Sequence, residues 1–583
     1  MDSLDSPAER YAAARKRAQH PLTEEFIAQF EFGFDDFQIA ACQAVEEGRG
    51  VLVAAPTGAG KTVVGEFAAF SSIAKGKKCF YTTPIKALSN QKFHEFVERF
   101  GEDRVGLLTG DTNINSDAQI MVMTTEVLRN MLYANSSTLA NLGAVVMDEV
   151  HYLADKFRGA VWEEVLIHLM ESVQVISLSA TVSNAEEFGE WLGEVRGSTD
   201  VIVSEIRPIP LYQHVLIGSR LIDLFSEPGR VNPEILGLER QALRRVRTPR
   251  HRRDRFDGDD NRLSRDEVIE KLQRENLLPA ITFIFSRAGC DAAVKQCLQA
   301  GIRLTNSEER QEILNTATQY TQHIAEEDLD VLGYREWLVA LERGIAAHHA
   351  GLLPSFKAAV EDLFQRGLVK AVFATETLAL GINMPARTVV LEKLTKWNGE
   401  GHVSITPGEY TQLTGRAGRR GIDIEGNAVV LWSPTVDSAT AAGLASTRTY
   451  PLRSSFTPSY NMSINLIARF GRERARTSLE SSFAQFQADR AVVGLVKQIR
   501  KNDLAAAEQL ESAICHLGDF PEYASIRMEI KEVERLLSRR DGKRTFDNRQ
   551  RQHMENELDS LRKKLRHHEC HSCNDRETHA RFA

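Results

Sequence analysis

Residues Ala54 to Thr62 read AAPTGAGKT, after a short apolar run and before the helix-compatible segment VVGEFAAFSSIAK. Glycines at 58 and 60 let the backbone curl so that several N–H groups face one centre. The N-terminus of the following helix adds the positive end of its dipole, and together these features cradle phosphates. In that cradle Ala55, Pro56, Thr57, Gly58, Ala59 and Gly60 form the loop, Lys61 reaches the β- and γ-phosphates, and Thr62 holds a Mg²⁺ ion. Ala55 stands where the usual pattern has glycine. Further on, Asp148-Glu149-Val150-His151 ends another apolar run. A carboxylate at the C-terminal tip of a parallel strand points into the ligand crevice. Asp148 is therefore expected to bind Mg²⁺ through water, and Glu149 to orient and deprotonate an attacking water. Taken alone, the tetrapeptide is only an acidic strand end before a turn. A third segment, QLTGRAGRRG, carries Gln412, Arg416 and Arg419. Arginines three apart share one face of a helix. Such a pair reaching a γ-phosphate stabilises transition-state charge, worth roughly 10³–10⁵ in rate. Gln412, one helical turn earlier, is placed to position water or phosphate. The competing reading is a basic surface helix.

These side chains need strands that end together. Val51 to Ala55, Cys79 to Thr82, Ile120 to Met123, Ala144 to Met147 and Val175 to Leu178 are short, apolar and bounded by polar or turn residues. Ile281 to Phe285, Ala371 to Ala374, Thr388 to Leu391 and Ala428 to Leu431 form a second series. Buried strands separated by helical stretches predict parallel sheets covered on both faces. Two tandem α/β domains follow, joined near Arg207-Pro208-Ile209-Pro210, where two prolines favour extended chain. With 583 residues, the chain is long for one core and three to five domains are expected at roughly 100–200 residues each. Its 42 % hydrophobic and 26 % charged residues exclude disordered and fibrous classes. The start MDSLDSPAER has no secretory pattern, and no apolar run of membrane-spanning length occurs. A net charge of −8 means that any nucleic acid would need a locally basic channel. Seven scattered cysteines do not form a disulfide framework and suit a reducing cytoplasm. Nine arginines between 244 and 265 read as a solvated, mobile insertion, with a phosphate-contacting flap as the alternative. Later, Ile526, Ile530, Val533 and Leu537, then Met554, Leu558, Leu561 and Leu565, follow the a/d spacing of two pairing helices. Asp541-Gly542 could turn the chain between them.

DEVH after APTGAGKT resembles the DExH-box helicases of superfamily two, and the remaining motifs of that group appear in order. Phe34 and Gln38 occupy its adenine-reading positions. Thr83 and Pro84 in TTPIKALSNQ, Thr109 and Gly110 in TGD, and Thr125 in TTEVLRN match its nucleic-acid motifs on the first lobe. Gly351 in HHAG and Thr375 in ATETLALGINMP match those on the second lobe, where FIFSR also falls. Gly381 falls in the same stretch and is expected to contact the nucleotide. His151 and the SAT residues Ser179 and Thr181 match the positions that couple the two activities. The resemblance implies two RecA-like lobes, with ATP and Mg²⁺ as cofactors and in-line attack by a water poised by Glu149. It also implies a single strand of RNA gripped through its backbone and translocation 3′ to 5′, so sequence preference should be slight. His348 and His349 diverge and lack partners at ligand spacing, so a metal role is not expected.

The stretch PLRSSFTPSYNMSINLI, followed by SLESSFAQFQ, narrows the resemblance to the superkiller-like RNA helicases, nearest to their actinobacterial type. It implies a winged-helix-like region and then an arch with a helical stalk. The organisation expected is an N-terminal segment (1–30), lobe 1 (31–206), lobe 2 with the arginine-rich insertion (207–437), a winged-helix-like region (438–489) and the stalk (490–583). Relatives continue past the arch into a helical bundle, so the chain is expected to stop inside the arch, which bears on processive unwinding. Cys570 and Cys573, with histidines nearby, are read as a stalk-end packing feature, with a zinc site as the alternative. The expected function is an ATP-dependent RNA helicase in RNA processing or decay, cytoplasmic, with an RNA-degrading nuclease as its implied partner. The alternatives are a DNA repair translocase, or a nucleotide- and RNA-binding chain that does not unwind.

Overall fold

The computed structural model describes residues 19–573 except 228, 248–262, 379–383, 398–399, 437, 448, 513–514, 516 and 539–547. The chain forms two compact units, 1–485 and 486–583. The first unit holds two sheets. Strands β1 (Gly50–Ala54), β2 (Lys78–Thr83), β3 (Val105–Leu108), β4 (Asn113–Ile114), β5 (Ile120–Thr124), β6 (Leu142–Met147), β7 (Gln174–Ser179) and β8 (Thr199–Val203) build the first. Their order is β4-β3-β5-β2-β6-β7-β1-β8. Only the short β4 runs antiparallel to its neighbour. In the register, Leu52 of β1 lies opposite Ser177 of β7 and Val201 of β8. The strand ends of β6, β7 and β1 therefore lie side by side, and the three segments DEVH, SAT and AAPTGAGKT meet at one edge.

The second sheet joins β9 (Leu211–Ile217) and β10 (Arg220–Asp223) to β13 (Ala280–Phe283), β14 (Ile345–His348), β15 (Ala371–Ala374), β16 (Thr388–Leu391) and β19 (Gly426–Leu431). The order is β10-β9-β19-β16-β13-β15-β14, parallel throughout except for the β9–β10 hairpin. Two small antiparallel ribbons, β11 (Phe225–Glu227) with β12 (Arg230–Val231) and β17 (Thr395–Trp397) with β18 (His402–Ser404), stand apart from it. Strands β13, β15, β16 and β19 are buried along their whole length, which fits sheets covered by helices on both faces. The chain leaves the first sheet at Val203 and enters the second at Leu211.

The arginine-rich stretch divides differently from its expected reading. A helix spans Pro233–Arg247, residues 250 to 262 lie within the undescribed part, and Arg265 opens the helix Arg265–Arg274. Arg265 is not part of a solvated insertion. Its guanidinium grips the buried Glu392 through two bonds of 2.9 and 3.1 Å. Past the second sheet come the helix Ser438–Ser446, an extended strap and the helix Tyr460–Glu480, which breaks at Gly471 (φ 76°). Between 438 and 489 the one strand-like pairing among the described residues is the bridge of Tyr450 to Val182. The strap lies along the first lobe. Asn184 exchanges two hydrogen bonds with the Leu452 backbone, at 2.9 and 2.6 Å, and Ser455 Oγ donates to the Leu153 carbonyl at 2.8 Å. Gly159 makes room for it, since a Cβ there would lie 2.2 Å from Ser455 Oγ.

In the second unit the helices Phe520–Ser538 and Asn548–His567 pack antiparallel around Ile530, Leu558 and Leu561. Ile526, Val533, Leu537 and Leu565 flank that seam, as their heptad spacing predicts. The turn expected at Asp541-Gly542 lies outside the described residues. Phe520, Tyr523 and Cys570 form a second small cluster at the base of the pair.

Candidate active site

Gly58 and Gly60 take φ values of 82° and 84°, which side chains rarely adopt, and the helix Thr62–Ala74 starts directly after them. Lys61 is buried, and its Nζ donates to the carbonyls of Ala55 and Pro56 at 2.8 and 3.0 Å. Burial pushes its pKa down, while Glu149 and Asp148 pull the other way. Burial pushes the Asp148 carboxyl up to about 6, and the neighbouring Glu149 charge adds to this. Asp148 is held at both oxygens: Oδ2 accepts the Tyr81 hydroxyl at 2.8 Å and Oδ1 accepts the Glu149 N–H at 2.9 Å. Glu149 sits in the left-handed region (φ 52°), strain that turns its side chain at the tip of β6.

His151 is the junction. Its Nδ1 lies 3.2 Å from the Ala180 N–H and 3.3 Å from Glu149 Oε2, and its Nε2 meets the Gln412 amide at 2.8 Å. Burial holds the ring neutral, with its pKa lowered to about 3. A neutral imidazole carries one N–H. With it on Nδ1, the ring donates to Glu149 and accepts from Gln412. With it on Nε2, the ring accepts from Ala180, and the Gln412 side-chain amide must turn so that its oxygen, not its nitrogen, faces the ring. Ser179 and Thr181 are buried on either side of Ala180.

The arginine segment is not a helix. The helix Pro407–Thr414 ends before it, and Gly418 takes φ 87° within the turn that follows. Arg416 and Arg419 therefore do not share a face. Arg416 is partly buried near Glu149, and desolvation lowers its pKa. Arg419 is committed within its own lobe: Nε and Nη2 donate to Asp423 at 2.7 and 2.9 Å. The guanidinium that crosses to the loop is Arg420, which donates to the Ala59 carbonyl and to Asp35, each at 3.2 Å. A Cβ on Gly415 would lie 3.1 Å from Thr57 Cβ, so this turn abuts the loop directly. Arg420, Tyr81, Asp423 and Tyr450, which hydrogen-bonds Gln412, escaped the sequence reading. The doubled arginine of GRRG was the one available signal.

Gln38 donates to the Gly60 carbonyl at 2.9 Å, and its own oxygen caps Asp35 N–H at 2.8 Å. Phe34 packs in an aromatic cluster, 5.9 Å from Phe32 and 20° from parallel with it. Gly381 lies outside the described residues. Of the first-lobe residues matched to nucleic-acid motifs, Thr83 and Thr125 have buried hydroxyls turned inward. Thr125 Oγ1 donates to the Thr83 carbonyl at 3.2 Å, and Thr83 Oγ1 pairs with Ser89 Oγ at 2.7 Å. Pro84 offers its carbonyl to Arg158. Thr109 Oγ1 donates to Asp111 at 3.1 Å beside the exposed Gly110. On the second lobe Gly351 is exposed and Thr375 Oγ1 bonds Thr377 Oγ1 at 2.9 Å. His348 and His349 pair with Glu361 and Asp291 at 2.7 and 2.9 Å. Cys515 stands beside Cys570 and Cys573 in the second unit. Among the described residues no group of three or more His, Cys, Asp or Glu is placed to hold a metal ion. None of their helices is long and apolar enough to cross a membrane.

A positive-φ glycine loop, a buried lysine and a buried carboxylate at one edge fit a Mg²⁺-nucleoside triphosphate. The first class this defines is the two-lobed P-loop protein, with the second lobe's turn docked on the loop. Residues 35–188 match the DEAD/DEAH box helicase family and residues 294–421 match the helicase conserved C-terminal domain. The probable helicase HelY of Mycobacterium leprae is 58 % identical over 534 residues, covering 88 % of this chain and 58 % of that protein. The chloroplastic DExH-box ATP-dependent RNA helicase DExH15 of Arabidopsis thaliana is 40 % identical, covering 88 % of this chain and 49 % of its own length. The exosome RNA helicase MTR4 of Homo sapiens is 37 % identical, covering 83 % and 46 %. The chain spans about half the length of these relatives. It belongs to the DExH-box helicases of superfamily two, in their superkiller-like group.

Proposed function

We propose that this chain is the motor of an ATP-dependent RNA helicase that moves 3′ to 5′ along single-stranded RNA in RNA processing or decay. The observation that carries the reading is the convergence of both lobes on one loop: Lys61, Asp148 and Glu149 from the first, Gln412 and Arg416 from the second. Bound Mg²⁺·ATP supplies the phosphoryl group and much of the charge neutralisation. Gly58, Gly60 and Lys61 bind and orient the phosphates, Thr62 and Asp148 hold the cation, and Glu149 takes a proton from the attacking water. Arg416 adds positive charge from the opposite side. His151 links Glu149 to Gln412, so a change at the carboxylate is felt by the second lobe. On the strand side, the hydroxyls of Thr83 and Thr125 are taken up inside the lobe, so the exposed Gly110 and Gly351, with Thr375 and the backbone around Thr83 and Thr125, are the proposed contacts to the strand's backbone, which suits recognition without sequence preference. Two of the relatives described above are named as RNA helicases, which favours RNA over DNA.

The test is ATP hydrolysis by this chain with and without single-stranded RNA. Stimulation of tenfold or more is expected, with Glu149→Gln binding ATP yet losing at least about a hundredfold in turnover. Unchanged hydrolysis in that variant removes Glu149 from its role. Strand displacement on matched RNA and DNA duplexes decides between the two nucleic acids.

A further inference from the structure

Tyr81 sits on β2, next to β6, and both it and its partner are buried: Tyr81 is 0 % exposed and Asp148 6 %. Its hydroxyl donates to Asp148 Oδ2 at 2.8 Å. The ring cannot drift. Phe96 meets it edge-on at 5.2 Å, the Lys92 ammonium stands 5.9 Å from its centroid, and the helix after the phosphate loop closes the third side. That helix approaches so closely that a Cβ on Gly65 would lie 2.7 Å from Tyr81 Cε2. The bare backbone of Gly65 is therefore what admits a tyrosine behind the site. The other Asp148 oxygen accepts the Glu149 N–H at 2.9 Å, and the Asp148 N–H donates to the Thr82 carbonyl at 3.0 Å. Two donors, the Tyr81 hydroxyl and the Glu149 N–H, thus fix the carboxylate plane while the Thr82 carbonyl anchors the backbone behind it, and among the described residues Tyr81 supplies the side-chain hydrogen bond to it.

We infer that Tyr81 is a positioning residue whose hydroxyl fixes the orientation of Asp148 and thereby sets how tightly the divalent cation accompanying the nucleotide is held. The inference rests on the reading of Asp148 as the cation's carboxylate. Outer hydrogen bonds to ligand carboxylates of this kind alter metal affinity about 10–100-fold. An aromatic ring placed only to fill space would not need the hydroxyl, and its loss would then leave cation binding untouched.

The experiment compares the unaltered chain with Tyr81→Phe, reading the affinity for fluorescent mant-ADP with MgCl₂ and with EDTA. The unaltered chain gains affinity when Mg²⁺ is present. Tyr81→Phe is expected to bind mant-ADP unchanged in EDTA but to need about tenfold more Mg²⁺ for half of the gain. ATPase rates should follow, with the half-saturating Mg²⁺ raised and the rate at saturating Mg²⁺ within about twofold. A Mg²⁺ requirement equal to that of the unaltered chain overturns the inference, as does equal weakening with and without Mg²⁺. Gly65→Ala, which pushes on the same ring, is the second variant. It carries the same expected shift if Tyr81→Phe fails to fold, and an unshifted Mg²⁺ requirement in it is equally fatal. Absence of mant-ADP binding by the unaltered chain would instead sink the reading of the nucleotide site.

Discussion

The hydrogen bond between Gln412 and His151 joins the two lobes beside Glu149, and its worth can be worked out. The distance is 2.8 Å and the imidazole is buried. Burial lowers the ring's pKa to about 3, so between pH 6 and 8 the bond is one between neutral groups. Such a bond contributes about 0.5–1.5 kcal/mol net, or roughly two- to tenfold in an equilibrium or rate. Each single variant, Gln412→Ala or His151→Ala, loses more than this bond, since Gln412 also meets Tyr450 and His151 also meets Ala180 and Glu149. The double variant isolates the shared part. The assay is the ratio of ATPase rates with and without RNA in all four chains. The double variant should retain about two- to tenfold more stimulation than the product of the single losses predicts. Losses that multiply without excess would refute a direct energetic link. So would an inflection near pH 6.5 in the rate profile that disappears with His151→Ala, because a buried neutral ring does not titrate there.

The three arginines should separate. Arg416→Ala is expected to lower turnover by roughly 10³, whereas Arg420→Ala, half-exposed at its contacts with Ala59 and Asp35, should raise the KM for ATP only about two- to fivefold. Arg419→Ala strands the buried Asp423 carboxylate and should lower stability by about 2–3 kcal/mol, read from the thermal midpoint. Burial holds the Glu163 carboxyl up to about 7 against an ordinary 4.5, despite bonds from Ser454 and the Phe483 N–H. The folded chain thus keeps a proton that the unfolded chain releases between those values. That contribution is complete below pH 4.5 and lost as pH rises through 7, about 3 kcal/mol at most. Denaturation midpoints at pH 5 and 8 should differ less in Glu163→Gln than in the unaltered chain.

Features carried by contiguous residues were legible. The loop Ala55 to Thr62 needs only its glycines and the helix behind it, and DEVH needs only the strand before it. The strands named in advance appear, most of them lengthened by a residue or two. Those passed over have reasons. β8 is half-exposed along its length, and β14 is half alanine and ends in histidine. β3 contains Gly106, where a Cβ would collide with the Asn115 carbonyl at 2.3 Å. The arginine segment misled because three-residue spacing is informative only on a helix, and the helix stops at Thr414. Whether Arg419 or Arg420 faces the loop depends on Asp423, Asp35 and Ala59, and two of these are distant in sequence. Tyr81 and Asp148 are likewise brought together by strand order, which no local pattern encodes.

The cross-lobe bond gains meaning from how the lobes are joined. The chain crosses between them twice, once from Val203 to Leu211 and once along the strap that bridges Tyr450 to Val182. The first crossing holds the arginine turn, since Arg207 donates to the carbonyls of Gly415, at 3.3 Å, and Ala417. The second lies two residues from Ala180, the backbone partner of His151. Both covalent links therefore attach beside the two halves of the Gln412–His151 contact. Rotation of one lobe on the other must move this contact relative to two nearby anchors, whereas a surface pair far from both could slide without strain. A measured coupling energy at Gln412 and His151 thus reports on the hinge itself, and a value near zero would place the mechanical link elsewhere on the interface.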